Sequence, residues 1–167
     1  MTAPRTVVLE LTRMEAAHLA GLVAQFEELL TDADTASGDP AIARLVPDAY
    51  SDDAEAAQEF RRLTERDLLD RRRQDAADVL ASLRTQAALS ELPEDDEKEL
   101  MELVELRLDP DLLQAWLRCL AAVRLVLATR LESRSETDHD VDDSRFGVYE
   151  WLGYRLDGLV QAAAGED

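Results

Sequence analysis

A single cysteine, Cys119, in 167 residues excludes a disulfide within the chain and any zinc site built from several thiolates. With no disulfide framework, the expected compartment is the cytosol. Two histidines, His18 and His139, leave few groups that titrate near neutral pH for acid–base work. Six glycines and five prolines are too few for a coil-rich fold or a disordered chain. Lysine is nearly missing as well: 17 of the 18 basic residues are arginine and the exception is Lys98, a coding bias with no chemistry of its own. The one early apolar stretch, Val7-Val8-Leu9, is broken by Glu10 and is too short for a signal-peptide core. No apolar run is expected to reach the length of a membrane span, so no membrane insertion is expected. There is also no nucleophile motif, P-loop, dinucleotide fingerprint or zincin motif, and no cofactor is expected.

Acid is what the chain has in quantity. Its formal net charge of -19 opposes binding to DNA, RNA or an anionic membrane surface, because the phosphate attraction behind most nucleic-acid affinity becomes repulsion. It favours basic protein partners. Ala, Leu, Arg and Glu dominate a chain that is 46% hydrophobic, which is helix-forming composition with enough apolar surface for one core. The expectation is a single helical domain over residues 1–167.

The most hydrophobic stretch runs from Trp116 to Leu131. At one hundred degrees per residue, Trp116, Cys119, Leu120, Val123, Val126, Leu127 and Leu131 cover a wider stripe than a surface helix needs. We therefore expect a multi-helix bundle, mainly α, around a central helix at about 112–131. That helix has no acid, and its arginines Arg118, Arg124 and Arg130 point in three directions, as separate ion-pair partners would.

A pattern recurs on either side of the chain's middle. Val7, Leu9 and Leu11 alternate as a half-buried strand, Thr12-x-x-Glu15 has capping-box spacing, and Met14, Ala17, Leu22, Phe26, Leu29 and Leu30 give the following helix an apolar face that stops near Asp32. Ninety-seven residues on, Val104, Leu106 and Leu108 alternate in the same way, Asp109 takes the place of Thr12, and Pro110 takes the first helical position. The two segments, at about 6–11 and 103–108, are expected to pair as a small two-stranded sheet, with a helix over 97–108 as the competing reading.

From Ser51, the cap expected at its front, the chain runs without glycine or proline to Leu89. Its apolar face changes sides: Ala56, Ala57, Phe60 and Leu63 first, then Leu69, Ala76, Leu80, Leu83 and Ala87. Either two helices meet near Thr64 or one helix passes between two neighbours. Acidic, solvated loops are expected at 90–99 and 132–144, followed by a last helix rich in aromatics. Gly147, Gly153 and Gly158 in that helix suggest a bend or the close approach of another backbone.

Candidate chemistry is sparse. Asp138, His139, Asp140, Asp142 and Asp143 could hold a divalent cation, but they lack the glycine and terminal glutamate of a calcium loop, and a solvated loop is the better account. Arg61, Arg62, Arg66 and Arg71 to Arg73 look basic, yet from Ser51 to Ala87 seven arginines face nine acids. Glu59 to Arg62, Asp67 to Arg71 and Asp70 to Arg73 have ion-pair spacing along a helix, so the cluster should largely neutralise itself and Arg61 and Arg62 serve as structural partners. Cys119 is a buried small hydrophobe by default; a redox role would need an accessible thiol with its pKa lowered by Arg118. Phe146, Tyr149, Trp151 and Tyr154 could leave an apolar patch for a partner or for a homodimer.

Four blocks together resemble an actinobacterial family catalogued as a domain of unknown function, which includes an oxidative-stress transcriptional regulator. They are Leu45-Val46-Pro47-Asp48-Ala49-Tyr50; Glu59-Phe60-Arg61-Arg62-Leu63-Thr64-Glu65; Trp116-Leu117-Arg118 with Arg124-Leu125-Val126-Leu127-Ala128-Thr129-Arg130-Leu131; and Tyr149-Glu150-Trp151-Leu152-Gly153. The resemblance implies a non-enzymatic cytosolic regulator or adaptor that acts through protein contacts, with a sigma factor or the transcription machinery as partner. The chain departs from that pattern after Arg118. Where the family commonly reads Ala-Leu-Asn-Asp it has Cys119-Leu120-Ala121-Ala122, losing a polar pair expected to be buried, and Ala128 replaces a usual glycine. With one cysteine, redox sensing would have to be intermolecular. The competing function is a metal-dependent or acid–base enzyme built on the acidic loop and buried arginines, which would need convergent carboxylates in a pocket.

Overall fold

The computed structural model describes residues 5–34, 38–46, 54–89, 97–135 and 144–165. Alternating side chains make β1 (Val7–Thr12) a strand with Val7 and Leu11 buried and Val8 and Glu10 exposed. Thr12 then turns the chain into α1 (Arg13–Thr31) through a complete capping box. The Glu15 N–H donates to Thr12 Oγ1 at 3.1 Å and the Thr12 N–H to Glu15 Oε2 at 2.9 Å. After a short 3-10 turn, Gly38 at φ +101° reverses the chain into α2 (Pro40–Leu45), where Asp39 caps by accepting from the Ala41 N–H at 2.9 Å. With neither glycine nor proline to stop it, α3 (Ala54–Gln86) runs unbroken for 33 residues. A single turn, α4 (Glu97–Leu100), leads into β2 (Leu103–Leu108). Asp109 accepts from the Leu112 N–H at 2.8 Å, Pro110 takes the first position, and α5 (Pro110–Ser135) follows, then α6 (Ser144–Ala164).

The strands do pair. They are antiparallel, with Val7 opposite Leu108, Leu9 opposite Leu106 and Thr12 opposite Leu103. Each strand leads straight into a long helix, so α1 and α5 leave the sheet at opposite ends. The Gln86 side chain accepts from the Arg107 N–H at 2.6 Å and donates to the Arg107 carbonyl at 3.2 Å, joining the end of α3 to β2.

The expected central helix is α5, which packs against α1, α2, α3, α6 and β2. Leu113, Ala115, Trp116, Cys119, Leu120, Ala122 and Val123 are buried, and Leu125 to Leu127 pack partly buried on the same core. The Trp116 indole N–H donates to Ser82 Oγ at 3.0 Å, and that hydroxyl donates to the Val79 carbonyl at 2.7 Å, so both buried side chains have their hydrogen bonds. One expectation needs correcting here. Pro110–Glu132 is long and apolar enough, with a mean hydropathy of 1.5, to cross a membrane by composition. That apolarity serves the interior of the bundle, where other elements cover the helix.

One further expectation changes. The buried face of α1 is Ala16, Leu19, Val23, Phe26 and Leu30, while Met14 is exposed and Ala17, Leu22 and Leu29 are half-buried. The helix has two overlapping apolar stripes, and packing on α3 selects the first. In α3, the single helix of the two alternatives at Thr64 forms, and its second half buries Leu69, Ala76, Val79, Leu80 and Leu83, with Ala87 buried just after it. Ser51 and the side chains of Ala57, Phe60 and Leu63 lie outside the described residues. Of the two acidic segments, 97–99 belong to α4 and 132–135 to the end of α5; 90–96 and 136–143 lie outside the described residues.

Candidate functional site

The three arginines of α5 go to three different neighbours. Arg118 makes a two-pronged contact with Asp75 of α3, Nε to Oδ2 and Nη2 to Oδ1, both at 2.9 Å, which raises the guanidinium pKa further. Arg130 does the same with Asp39, the cap of α2, at 2.9 and 2.8 Å. The Arg130 bonds, with the Ala41 N–H, outweigh burial and hold the Asp39 carboxyl below its ordinary range. Arg124, expected to be an ion-pair partner, has no carboxylate within 4.0 Å among the described residues. Its guanidinium lies over the Tyr149 ring, 4.2 Å from the centroid, and its Nε donates to the Tyr149 carbonyl at 3.4 Å. This explains Gly153 without any backbone approach, since a Cβ there would meet Arg124 Nη2 at 2.7 Å. Gly147 and Gly158 face open space. The side chains of Arg61 and Arg62 lie outside the described residues.

On α3 the run Arg71-Arg72-Arg73 fans out at one hundred degrees per residue. Arg73 pairs with Asp70 at 2.6 Å, as the spacing predicts, and also donates to the Leu30 carbonyl at 2.6 Å, at the end of α1, which has no basic residue of its own in its last turn. Arg72 reaches the Leu45 carbonyl at the end of α2 with one long contact of 3.4 Å. The expected Asp67 to Arg71 pair does not form, and neither Arg71 nor Arg72 has a carboxylate within 4.0 Å among the described residues. The cluster is therefore less self-neutralised than its spacing suggests. Arg72 Nε is buried without a hydrogen-bond partner, and burial pushes its guanidinium pKa down.

Arg71, Arg72 and Arg118 line a groove of about 670 Å³ between α3 and α5, with Leu68, Ala121, Ala122 and Leu125 as its apolar part. The Ala121-Ala122 pair thus lies in a groove wall. Ala122 is buried but Ala121 is exposed, which corrects the expectation that both positions are interior.

A second groove, of about 640 Å³, separates α1 from α6. Leu22, Val148 and Trp151 make it apolar, and Gly21 and Gly147 leave it wide. Glu15 ties the two helices together beside it. One of its oxygens accepts from Trp151 Nε1 at 3.1 Å and from Arg155 Nη2 at 2.7 Å. Burial would raise the Glu15 pKa, but the Thr12 N–H, Arg155 and Trp151 outweigh it and the net shift is downward.

The four aromatics proposed as a patch are divided. Phe146 and Tyr154 are 53% and 73% exposed, whereas Tyr149 lies under Arg124 and Trp151 is half-buried against Glu15. Cys119 is 2% exposed, and burial, with a contribution from Asp75, pushes its thiol up to about 12. Such a thiol is protonated at physiological pH and shielded from oxidants, as a core hydrophobe is. Asp138, His139, Asp140, Asp142 and Asp143 lie outside the described residues. Asp75, Ser82 and Glu15, which fix α5 and α6 in place, have no signal in sequence beyond, for Glu15, its cap spacing.

No curated protein and no solved structure matches this chain. A family model does, described as a domain of unknown function, DUF2017, and it spans residues 1–163. The helical bundle and both grooves therefore belong to that match, and the chain is a member of the DUF2017 family.

Proposed function

We propose that this chain is a non-enzymatic regulatory or adaptor protein of the cytosol, working by protein contact in oxidative-stress control of transcription. The observation that carries this is the α1–α6 groove, apolar and about 640 Å³, lined by Leu22, Val148 and Trp151. A channel between two helices, with glycines in its walls, suits the apolar side chains of an amphipathic segment. The net charge of -19 would draw a basic partner to it. The regulator link and a sigma factor or RNA polymerase as partner come from the sequence resemblance. Cys119 has no sensing role in this proposal, because its thiol is buried.

The test is direct binding to purified sigma factors and core RNA polymerase of the source organism. A complex on size exclusion with one of them, lost in the groove-filling variant Gly147→Leu while the fold is retained by circular dichroism, is the expected result. No complex with any of them would end the proposal.

A further inference from the structure

The α3–α5 groove lies away from the surface used above, and its chemistry differs. We propose that it binds a small organic anion, the carboxylate held between Arg71 and Arg72 and the hydrocarbon body resting on Leu68, Ala121, Ala122 and Leu125.

Four observations support this site. First, three guanidiniums face a single carboxylate in the lining, so the groove is locally basic in a strongly acidic protein. Second, that carboxylate, Asp75, is bonded through both oxygens to Arg118 and makes no ion pair within 4.0 Å with Arg72. Third, Arg72 is partly withdrawn from water yet keeps only a 3.4 Å contact with the Leu45 carbonyl, and its buried Nε–H has no acceptor. A desolvated cation with an unmet donor is a site that an oxyanion completes. Fourth, Arg71 is exposed and makes no ion pair among the described residues, so it can turn onto the same oxyanion.

The remaining features narrow the ligand. About 670 Å³ suits a metabolite-sized molecule better than a bare ion, and Leu68, Ala121, Ala122 and Leu125 give an apolar wall beside the arginines, with Gln74 as the uncharged polar side chain of the lining. The surrounding negative charge penalises each further charge on the ligand, which favours a monocarboxylate over a phosphate ester or a polyanion. The bidentate geometry of guanidinium on carboxylate supplies the polar contact.

Titration of the native protein with hexanoate, inorganic phosphate and 1-hexanol, followed through the arginine Nε–H signals in ¹H–¹⁵N NMR, tests the site. Hexanoate should shift the Arg71 and Arg72 signals saturably, with the other two probes weaker by on the order of tenfold, the value of one charge-assisted hydrogen bond. Arg72→Gln should weaken hexanoate by a similar factor. Arg71→Gln, an exposed change that leaves the fold intact, should weaken it about threefold, which corresponds to a partly solvated charge. Three results would overturn the proposal: no saturable shift with hexanoate, equal binding of hexanol, or tighter binding of phosphate. If Arg72→Gln does not fold, an unchanged hexanoate affinity in Arg71→Gln is enough to reject it.

Discussion

The two strand–cap–helix units, β1–Thr12–α1 and β2–Asp109–α5, share a local grammar but occupy different places in the molecule. At the same offset Leu19 corresponds to Trp116, Val23 to Leu120 and Phe26 to Val123, and every one of these is buried. Yet α1 is covered mainly on the side facing α3 and borders a groove on another, whereas α5 is packed by four helices and a strand. The same start signal thus produces a peripheral helix and a central one. What separates them is the residue content of the following turns: α1 retains Glu15, His18 and Gln25 on its groove side, while 112–131 has no acid at all.

Breaking this comparison most severely means emptying the middle of each helix. Trp116→Ala removes a fully buried ring and leaves Ser82 Oγ without its donor, and should cost about 3–5 kcal/mol in urea unfolding. Leu19→Ala should cost less, about 2–3 kcal/mol, since a smaller side chain is lost beside a less enclosed helix. Equal losses would mean that the two helices share the core evenly.

pH separates the units next. The Cys119 thiol of α5 is raised from 9.0 to about 12 in the folded chain, so the folded state holds its proton longer than the unfolded state does. Its contribution is complete below about pH 9 and declines as pH rises toward 12. Cys119→Ala should flatten that alkaline decline, and a thiol reagent should label native Cys119 only after denaturation. Glu15 of α1 works at the other limit. Its folded pKa lies below the ordinary 4.5, so its stabilisation is present above that value and lost as pH falls through the folded one. Glu15→Gln should therefore shift the acid midpoint and leave the alkaline limb unchanged.

The caps come third in size. Thr12→Ala and Asp109→Ala should each cost about 1 kcal/mol by thermal or chemical unfolding. The two losses should agree within error if capping is the property the units truly share. Smallest is Gly153→Ala on α6. The added methyl displaces Arg124 from Tyr149, losing about 0.5–1 kcal/mol, while replacing glycine inside a helix returns a similar amount. Stability should stay nearly constant while the Tyr149 ring signals move in NMR.

Much of the fold was legible in the sequence because it rests on signals that act over three or four residues. Alternation in VVLEL, the spacing Thr12-x-x-Glu15 and the pair Asp109-Pro110 each specify a local geometry, and all of them form. The sequence could not say which stripe of α1 is buried, because Ala16–Leu19–Val23 and Ala17–Leu22–Leu29 both satisfy helical periodicity and the choice belongs to α3. The arginines show the same division. Arg73 finds Asp70 three residues back, but whether Asp67 would reach Arg71 depended on side-chain direction, and the one long contact of Arg72 is with the end of α2, 27 residues back. Nothing local marks the place of Arg124, because its aromatic neighbour comes from α6. Of the two grooves, only fragments could be read: aromatics for one and arginines for the other, with no indication that either set would converge.

The contact between Gln86 and Arg107 has a consequence for solubility. A two-stranded ribbon presents two free margins, and each could recruit a strand from another molecule. At Arg107 the primary amide of Gln86 takes both main-chain hydrogen bonds that an incoming strand would use, and so acts as a third strand one residue long. Across the ribbon, Arg155 occupies the outward carbonyl of Glu10 at 3.3 Å. Side chains from α3 and α6 thus occupy one pairing position on each margin of the ribbon, which obstructs the addition of a further strand there.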